Sequence, residues 1–383
     1  MRDLKKVWSF ELKRLLSNKG FLFLAVAWPL LYAIFFGRIY SDHVVNNMPL
    51  AIVDMDKTQI SRTITRFAGS MRSFNIQETF ENPEQLKDKF LSGDFAAALI
   101  IPKGLQRSIK HGHRPHVTVW INATNVVVAN LTASEISYLM GTVSGGIQLK
   151  FLQKAGSSTK RAMESIQPLP LEMARLHNPG LNYLSYLTPG IWAAIIHQVV
   201  ILLGALCFVP HVQRKEIAAL NGTVERPKSW FFGKWSFYFI LGVLTFEIFF
   251  RGLFPLFNIK IESSVWALLL FSSLFIASAL SLGTLISLAT TRTLGALKGV
   301  LLLASPAFIL SGYTFPISQM PEIYKFITAI FPLTPFINGY RKLYQEGVGF
   351  LDVVPEITHL AVLFFIYAAL SYFFFKKRWE KSL

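Results

Sequence analysis

The stretch VWALLLFSSLFIASALSLGTLISL (265–288) contains no charged residue. The hydrocarbon core of a bilayer is about 30 Å thick, so a helix needs about 20 consecutive apolar residues to cross it. A run of this length and composition predicts a membrane-spanning helix rather than the buried helix of a soluble core. The segment indicates the class of the whole chain, because similar runs recur on both sides of it.

Further apolar runs of spanning length alternate with polar segments that carry most of the charges. Only 16% of the residues are charged, against about 25% in ordinary soluble domains. The predicted fold class is therefore an α-helical membrane protein with six transmembrane helices and an inserted extracytoplasmic α/β domain. The predicted spans are 21–40, 191–209, 235–257, 265–288, 294–315 and 359–375.

The first twenty residues, MRDLKKVWSFELKRLLSNKG, form a charged leader. Its apolar residues recur at helical spacing, with lysines and arginine elsewhere on the wheel. This pattern predicts an amphipathic helix over 1–20 that lies on the inner membrane face. The apolar positions are Leu4, Trp8, Leu12, Leu15 and Leu16. The following run, 21–40, lacks a small-residue cleavage site and is predicted to be an uncleaved anchor.

Residues 41–188 separate the first span from the other five and are long enough for a domain of their own. β-like runs alternate there with helical ones, which predicts an α/β fold. The predicted strands are MPLAIVDMD (48–56), SFNIQETF (73–80), FAAALIIP (95–102) and HVTVWIN (116–122). The only cysteine, Cys207, lies in an apolar run, so this domain is predicted to fold without disulfides.

The chain has a formal net charge of +16, and its basic residues are unevenly divided between the two sides of the predicted spans. Seventeen Lys and Arg residues flank the spans on the side of the two termini, and four lie in the short loops on the other side. By the positive-inside rule, both termini, including the tail 377–383, are cytoplasmic and the domain 41–188 is outside. We predict no nucleic-acid partner, because the positive-inside rule explains the excess of basic residues.

No catalytic constellation is visible in the sequence. There is no H-E-x-x-H motif, no paired cysteines with metal spacing and no G-x-S-x-G elbow. The phosphate-cradling motif G-x-x-x-x-G-K-[ST] is also missing, since Gly233-Lys234 is followed by Trp235. We therefore predict that the chain is not an enzyme and holds neither a metal nor a cofactor.

Two pairs of polar residues lie within predicted spans. Glu247 and Arg251 are four residues apart and share one helix face. Ionisable groups in a membrane often mark a transport pathway, whereas the alternative is a structural pair whose arginine reaches the interface. His197 and Gln198 allow the same two readings, a bundle contact or a substrate ligand.

Small residues recur at four-residue intervals in the span 265–288, where they allow helices to approach closely. The spacing does not decide whether this face packs within the chain or against a second copy. The positions are Ser273, Ala277 and Ser281 on one line, and Ala279, Gly283 and Ser287 on the next.

The segment 316–350 contains an apolar run too short to span and is broken by prolines. It is predicted to form short helices that dip into the outer side of the membrane and return. An interfacial loop and an extracellular gate both fit this pattern.

The order of leader, one span, large domain and five further spans resembles the type-two ABC exporter permeases. The motif similarity is concentrated in LLLASPAFILSGYTFPISQMPEIYKFITAIFPLTPFINGYRKL (301–343). In that family a similar Leu-Ser-Gly-x-x-Phe-Pro, a Met-Pro and a later Pro and Arg surround the outer re-entrant helices. The matching residues are Leu310, Ser311, Gly312, Phe315, Pro316, Met320, Pro321, Pro332 and Arg341, of which the last seven are outer-gate candidates.

The loop 213–234 is similar to the family's cytoplasmic coupling helix, in which a Glu, a Gly-Thr pair, a Pro and a Gly-Lys recur. The residue types are present as Glu216, Gly222, Thr223, Pro227, Gly233 and Lys234, although their spacing departs from the family pattern. The residues expected to contact an ATPase are Arg214, Lys215, Glu216 and Glu225.

The resemblance implies a permease subunit in the bacterial inner membrane, with residues 189–376 forming its five-helix region. It would pair with a second copy or a similar permease and be gripped by separate ATPase subunits that bind ATP and Mg²⁺. A periplasmic adaptor is a further possible partner. The apolar walls suit a drug, a lipid or a lipid-linked molecule as substrate.

Two other classes remain open on the sequence alone. A membrane receptor or assembly scaffold would use the outer domain to bind a ligand or an envelope partner, but five further spans exceed what anchoring needs. A membrane-embedded transferase would need paired acids or a His-Asp set near an interface, and Glu247 alone does not supply one.

Overall fold

The computed structural model of the chain describes residues 2–41, 45–166, 176–178, 182–213 and 227–380. The chain forms two compact units. The first, called here the helical unit, comprises Met1–His43 and Arg175–Leu383, and the second, the inserted unit, is Val44–Ala174.

The chain begins with two successive helices, α1 (Arg2–Ser17) and α2 (Lys19–Ile39). Asn18 separates them, and its side-chain oxygen accepts a hydrogen bond of 3.0 Å from the backbone N–H of Phe21. This contact caps one of the free N–H groups at the start of α2, so the chain can change direction there without losing a buried hydrogen bond.

The described part of the inserted unit contains a sheet with strand order β2-β1-β3-β4. The strand β1 runs parallel to β2 and β3, whereas β4 is antiparallel to β3. Helices connect the strands and cover the sheet. The elements are β1 (Met48–Asp54), α3 (Gln59–Ser70), β2 (Phe74–Phe80), α4 (Pro83–Leu91), β3 (Ala97–Ile101), α5 (Leu105–Lys110), β4 (Thr118–Ile121), α6 (Val126–Lys154) and α7 (Thr159–Ile166).

Alternate side chains of β1 enter two different apolar clusters. Leu50 and Ile52 contribute to one cluster, and Ala51 and Val53 to the other. Successive side chains of a strand point to opposite faces, so a sheet with apolar residues at every position must be covered on both sides. Each strand lies within one of the four segments that the sequence predicts to be extended.

The helical unit continues after the inserted unit with long apolar helices and two short ones. The short helices α12 and α13 lie in the segment for which the sequence predicts re-entrant helices. The helices are α8 (Tyr183–Gln213), α9 (Pro227–Leu256), α10 (Val265–Ala289), α11 (Thr293–Leu310), α12 (Glu322–Ala329), α13 (Leu333–Arg341) and α14 (Val354–Glu380).

Seven helices among the described residues are long and apolar enough to cross a membrane. The prediction of an α-helical membrane protein is therefore confirmed. Six of the helices coincide with the predicted spans, and the seventh is α6 of the inserted unit. That helix buries Ile136, Leu139 and Val143 in the same cluster as the strands, so part of its apolar surface has a partner within its own unit. The number of spans remains a prediction.

The small residues of α10 pack against α8 of the same chain. A Cβ atom added to Gly283 would lie 2.2 Å from the carbonyl oxygen of Ile201, and one added to Gly204 would lie 2.5 Å from that of Leu280. The hydroxyl of Ser287 accepts hydrogen bonds from the N–H groups of Phe208 and Val209 in α8. The structure thus assigns Gly283 and Ser287 to packing within the chain.

The short helix α13 packs into the bundle. Phe336 is buried, and its ring centroid lies 3.8 Å from that of Phe275 and 5.5 Å from that of Phe271, both in α10. Gly339 makes this possible, because a Cβ there would lie 2.5 Å from the Phe271 ring. The segment after α11 is therefore anchored in the core of the helical unit.

Candidate functional site

One side of α1 packs against the helical unit, and the other is exposed. The sequence pattern groups all of its leucines with Trp8 on a single face, whereas the structure divides them. The buried line is Val7, Glu11 and Leu15, and the exposed apolar residues are Leu4, Phe10, Leu12 and Leu16. The buried side meets α9 closely, since a Cβ on Gly233 would lie 3.0 Å from the side chain of Val7.

The carboxylate of Glu11 forms a buried ion pair with Lys234 of α9. The Nζ and Oε1 atoms are 2.7 Å apart, and both side chains have 0% exposure. Tyr238, one turn further along α9, donates a hydrogen bond of 2.6 Å to Glu11 Oε2. Arg14 lies 3.4 Å from the same oxygen. We call Glu11, Arg14, Lys234 and Tyr238 the Glu11 cluster.

The electrostatic surroundings keep the Glu11 carboxyl ionised. Burial alone would raise its pKa, but the charges of Lys234 and Arg14 and the hydrogen bonds from Lys234 and Tyr238 hold the pKa below its usual value. Lys234 is also covered by aromatic rings, with Nζ 4.9 Å from the Trp230 centroid and 5.4 Å from that of Phe208. The ion pair between Glu11 and Lys234 is therefore sealed from water, whereas the Arg14 side chain is 24% exposed.

Arg14 extends the cluster to α8. Its Nη2 donates to the carbonyl oxygen of Leu206 at 3.4 Å, and its Nη1 lies 3.3 Å from His211 Nε2. The carbonyl of Leu206 has no helical donor four residues later, because that position is Pro210. A missing backbone hydrogen bond thus creates the acceptor that fixes α1 to α8.

The second proline of α8 creates a similar acceptor near the other end of that helix. Pro189 cannot donate to the carbonyl of Ser185, which accepts instead a hydrogen bond of 3.2 Å from the hydroxyl of Tyr344. The neighbouring Tyr186 donates to the carbonyl of Tyr313 at 3.2 Å, and the Tyr313 hydroxyl donates to the carbonyl of Tyr186. We call Tyr186, Tyr313 and Tyr344 the tyrosine cluster.

One of the predicted outer-gate residues, Gly312, adjoins the tyrosine cluster in the chain. Gly312, which precedes Tyr313, has φ +87°, a conformation that glycine adopts without strain, and a Cβ there would lie 2.7 Å from Ile317. The others cap or flank the short helices. Phe315 is exposed, Pro316 and Pro321 precede helical turns, Met320 and Pro332 are buried, and Arg341 ends α13.

The structure places His197 and Gln198, the predicted polar pair of α8, in different surroundings. His197 is fully buried and stacks on Phe275, with ring centroids 5.9 Å apart, and neither of its nitrogens has a hydrogen-bond partner among the described residues. Gln198 is exposed, although its neighbours Val199 and Val200 are buried. The amide therefore lies on the outer surface of a helix that is otherwise packed inside the unit.

Glu247 and Arg251 form the ion pair that their spacing predicts. The Nε and Oε2 atoms are 2.6 Å apart, and the arginine side chain is 63% exposed. Arg251 lies in a π-helical turn, Phe249–Leu253, near the end of α9. This geometry matches an arginine that can reach the membrane interface.

The predicted ATPase contacts, Arg214, Lys215, Glu216 and Glu225, lie outside the described residues, as do Gly222 and Thr223 of the motif. The described residues on either side of this loop are Gln213, which ends α8, and Pro227, which begins α9. Gly233 and Lys234, predicted to be coupling-loop residues, lie within α9 and face α1. Lys234 is thus part of a buried ion pair rather than of the loop.

Glu11 and the tyrosine cluster are not among the residues that the sequence predicts to be functional. A signal for Glu11 was present, because it follows Trp8 and precedes Leu15 at helical spacing and so places an acid within an apolar stripe. An acid in such a stripe requires a buried partner. The tyrosine contacts had no sequence signal, because all three hydroxyls donate to backbone carbonyls, which every residue carries.

The comparisons with known proteins agree with this architecture. The family model described as ABC-2 family transporter protein matches residues 19–373. The chain is 24% identical to the inner membrane transport permease YhhJ of Escherichia coli (strain K12), over 97% of this chain and 98% of that protein. It is 23% identical to the probable multidrug ABC transporter permease YbhS of the same strain, over 94% and 92%.

The match to the family model covers most of the chain, including the long apolar helices and the inserted unit. The similarity to the two Escherichia coli proteins covers more than nine tenths of this chain and of each of those proteins. The chain therefore belongs to the ABC-2 family of transporter proteins and is a membrane permease component of an ABC transporter.

Proposed function

We propose that this chain is the permease subunit of an ATP-driven exporter that moves an apolar or amphipathic substrate across the bacterial inner membrane. Two copies, or one copy and a similar permease, enclose the pathway. Separate ATPase subunits bind ATP and Mg²⁺ and contact the loop that contains Arg214, Lys215, Glu216 and Glu225. Six helices span the membrane, both termini are cytoplasmic and the inserted unit is periplasmic, where an adaptor could reach it.

The observation that carries this proposal is the Glu11 cluster. It connects α1 to α9 directly and to α8 through Arg14, and the loop 214–226 joins those two helices. A force applied to this loop acts on helix ends that are held together by one buried ion pair and by hydrogen bonds. Such an arrangement favours movement of α1, α8 and α9 as a body when an ATPase pulls on the loop.

The coupling loop provides the direct test of this function. We expect that replacing Glu216 and Glu225 by arginine abolishes co-purification of a co-expressed ATPase subunit and substrate-stimulated ATP turnover. Truncating one partner of a buried interfacial charge pair costs about 2–5 kcal/mol, and charge reversal adds repulsion. Association is measured by affinity purification from membranes, and turnover in reconstituted vesicles.

Replacement of Lys228 by glutamate serves as the control, because Lys228 lies in the described first turn of α9 and is not among the four residues predicted to contact the ATPase. The Lys228→Glu chain should insert, bind the ATPase and support turnover normally. If the Glu216→Arg/Glu225→Arg chain also retained both properties, the loop would not be the ATPase contact, and failure of the wild-type chain to bind any ATPase would end the exporter assignment.

The exposed amide of Gln198 supports the pairing of two copies. A polar side chain that faces lipid in the middle of a span is unfavourable, so such residues usually face a bundle interior or a water-filled cavity. The surface around Gln198 includes the half-buried Ala194 and Leu202, one turn away on either side. We propose that this face of α8 meets its equivalent in the second copy, or lines the pathway between the two.

Cross-linking tests this arrangement. In a Cys207→Ser background, a chain with Gln198→Cys should form a covalent dimer with a short bismaleimide, because a symmetric interface brings equivalent residues close together. A Phe365→Cys chain is the control, since Phe365 of α14 is 68% exposed and is predicted to face lipid. Equal cross-linking at both positions, or none at Gln198→Cys, would contradict the proposed interface.

A further inference from the structure

The inserted unit contains a groove that its fold does not require. The groove has a volume of about 720 Å³ and is lined by α3, α5, the second half of α6 and the segment 112–117. Cavities of about 300–1,000 Å³ are typical of small-molecule sites. Its walls include Ile64, Ile109, Ile147 and Phe151.

The apolar wall exists because α6 is longer than the core on which it packs. The buried residues of α6 run from Thr132 to Val143, and no later residue of this helix is buried. The remaining turns carry Ile147, Phe151 and Leu152 into the groove, where Phe151 is 53% exposed. Exposed apolar surface in a concave site is typical of a binding site rather than of folding.

The polar residues of the groove are neutral or basic. His113 and Arg114 line it together with Ser144 and Gln148, and no acidic residue contributes to its lining. Both His113 and Arg114 are exposed, and Arg114 has no ion pair with the described residues. A guanidinium beside an apolar wall matches a ligand that combines an apolar body with an anionic group.

The surrounding segment strengthens this charge preference. Residues 103–116 contain four Lys or Arg residues and three histidines but no acidic residue. Asp56 lines a second pocket of this unit, and its carboxylate accepts hydrogen bonds from the N–H groups of Gly104 and Gln106. The charge of Asp56 stabilises the start of α5. The positive-inside rule places basic residues on the cytoplasmic side, so it does not explain a basic segment in a domain predicted to lie outside the cytoplasm.

We propose that this groove binds one small amphipathic anion, with its apolar body against Ile147 and Phe151 and its anionic group at Arg114 and His113. The volume fits one such molecule, and the basic side chains complement its charge. A folded protein partner would need about 800 Å² of surface on this unit, more than a single concave site offers. This binding requires no ATPase, so it is independent of the export function proposed above.

The test uses the full chain in nanodiscs of zwitterionic lipid, with dansyl-undecanoic acid as the probe and dansyl-undecanol as its uncharged counterpart. We expect saturable binding of one acid per chain above the signal of empty nanodiscs, and at least tenfold weaker binding of the alcohol. Arg114→Gln should weaken binding of the acid about tenfold, which corresponds to the loss of one charged contact. Phe151→Asp should abolish it.

Lys154→Gln is the matched control, because Lys154 ends the same helix but does not line the groove. Unchanged binding by this variant, with unchanged melting temperatures for all variants, supports a specific site. Binding that is equal in empty nanodiscs, equal for acid and alcohol, or insensitive to Arg114→Gln and Phe151→Asp would overturn the proposal. Capture of the chain by anionic vesicles with no binding of the free acid would also overturn it.

Discussion

Replacing Glu11 by glutamine is expected to destabilise the helical unit by about 3–5 kcal/mol, because the substitution leaves the ammonium group of Lys234 buried without its counter-ion. The glutamine keeps the shape of the side chain and an oxygen that can still accept from Tyr238. The apparent melting temperature of detergent-solubilised protein should fall by on the order of 10 °C. Fluorescence-detected size-exclusion chromatography after heating measures this fall.

A double-mutant cycle separates the ion pair from general effects of substitution. Lys234→Met alone should also destabilise, whereas Glu11→Gln combined with Lys234→Met should recover most of the lost stability, since replacing both charges of a buried pair is often neutral. Lys13→Gln, on the exposed side of α1, removes one positive charge and should change nothing. A double variant that is no more stable than either single variant would show that the two charges are not coupled.

Replacing Gly283 by alanine is expected to have a comparably large effect through packing. The added Cβ would lie 2.2 Å from the carbonyl oxygen of Ile201, so the backbones of α8 and α10 must separate. Overpacking of this kind costs about 3 kcal/mol. Gly283→Leu should prevent accumulation of the folded chain. Protein yield in the membrane and the apparent melting temperature are the measurements.

Gly252 of α9 provides the control, because a Cβ there would meet nothing within 4 Å and should not lower stability. Alanine is the better helix former by about 1 kcal/mol, so Gly252→Ala should leave stability unchanged or raise it slightly. If Gly283→Ala melted at the same temperature as Gly252→Ala, the close contact between α8 and α10 would not limit stability.

Local patterns in the sequence predict the helices and strands well but not their long-range contacts. The spans follow from apolar runs, and the strands of the inserted unit follow from their β-like composition, because both signals extend over consecutive residues. The contact between Glu11 and Tyr238 joins residues 227 positions apart, and nothing in either neighbourhood indicates the other. The sequence predicts Lys234 to lie in a loop, although it is buried in a helix.

The packing partners of small residues are likewise not predicted by local sequence patterns. The spacing of Gly283 and Ser287 predicts a close helix contact, but only the fold identifies α8 as the partner. The exposure of Gln198 beside the buried His197 is also a property of tertiary packing, because adjacent residues of a helix point in different directions. The predicted ATPase contacts and the direction of transport remain predictions.

The two prolines of α8 also determine how this helix can move. Pro189 and Pro210 each release one carbonyl, so bending is concentrated near the two ends of the helix. The carbonyls of Ser185 and Leu206, which accept from Tyr344 and Arg14, are about 32 Å apart at 1.5 Å per residue. The turns between these positions are intact, so we expect this part of α8 to move as one rigid segment and to transmit a displacement at the Glu11 cluster to the tyrosine cluster.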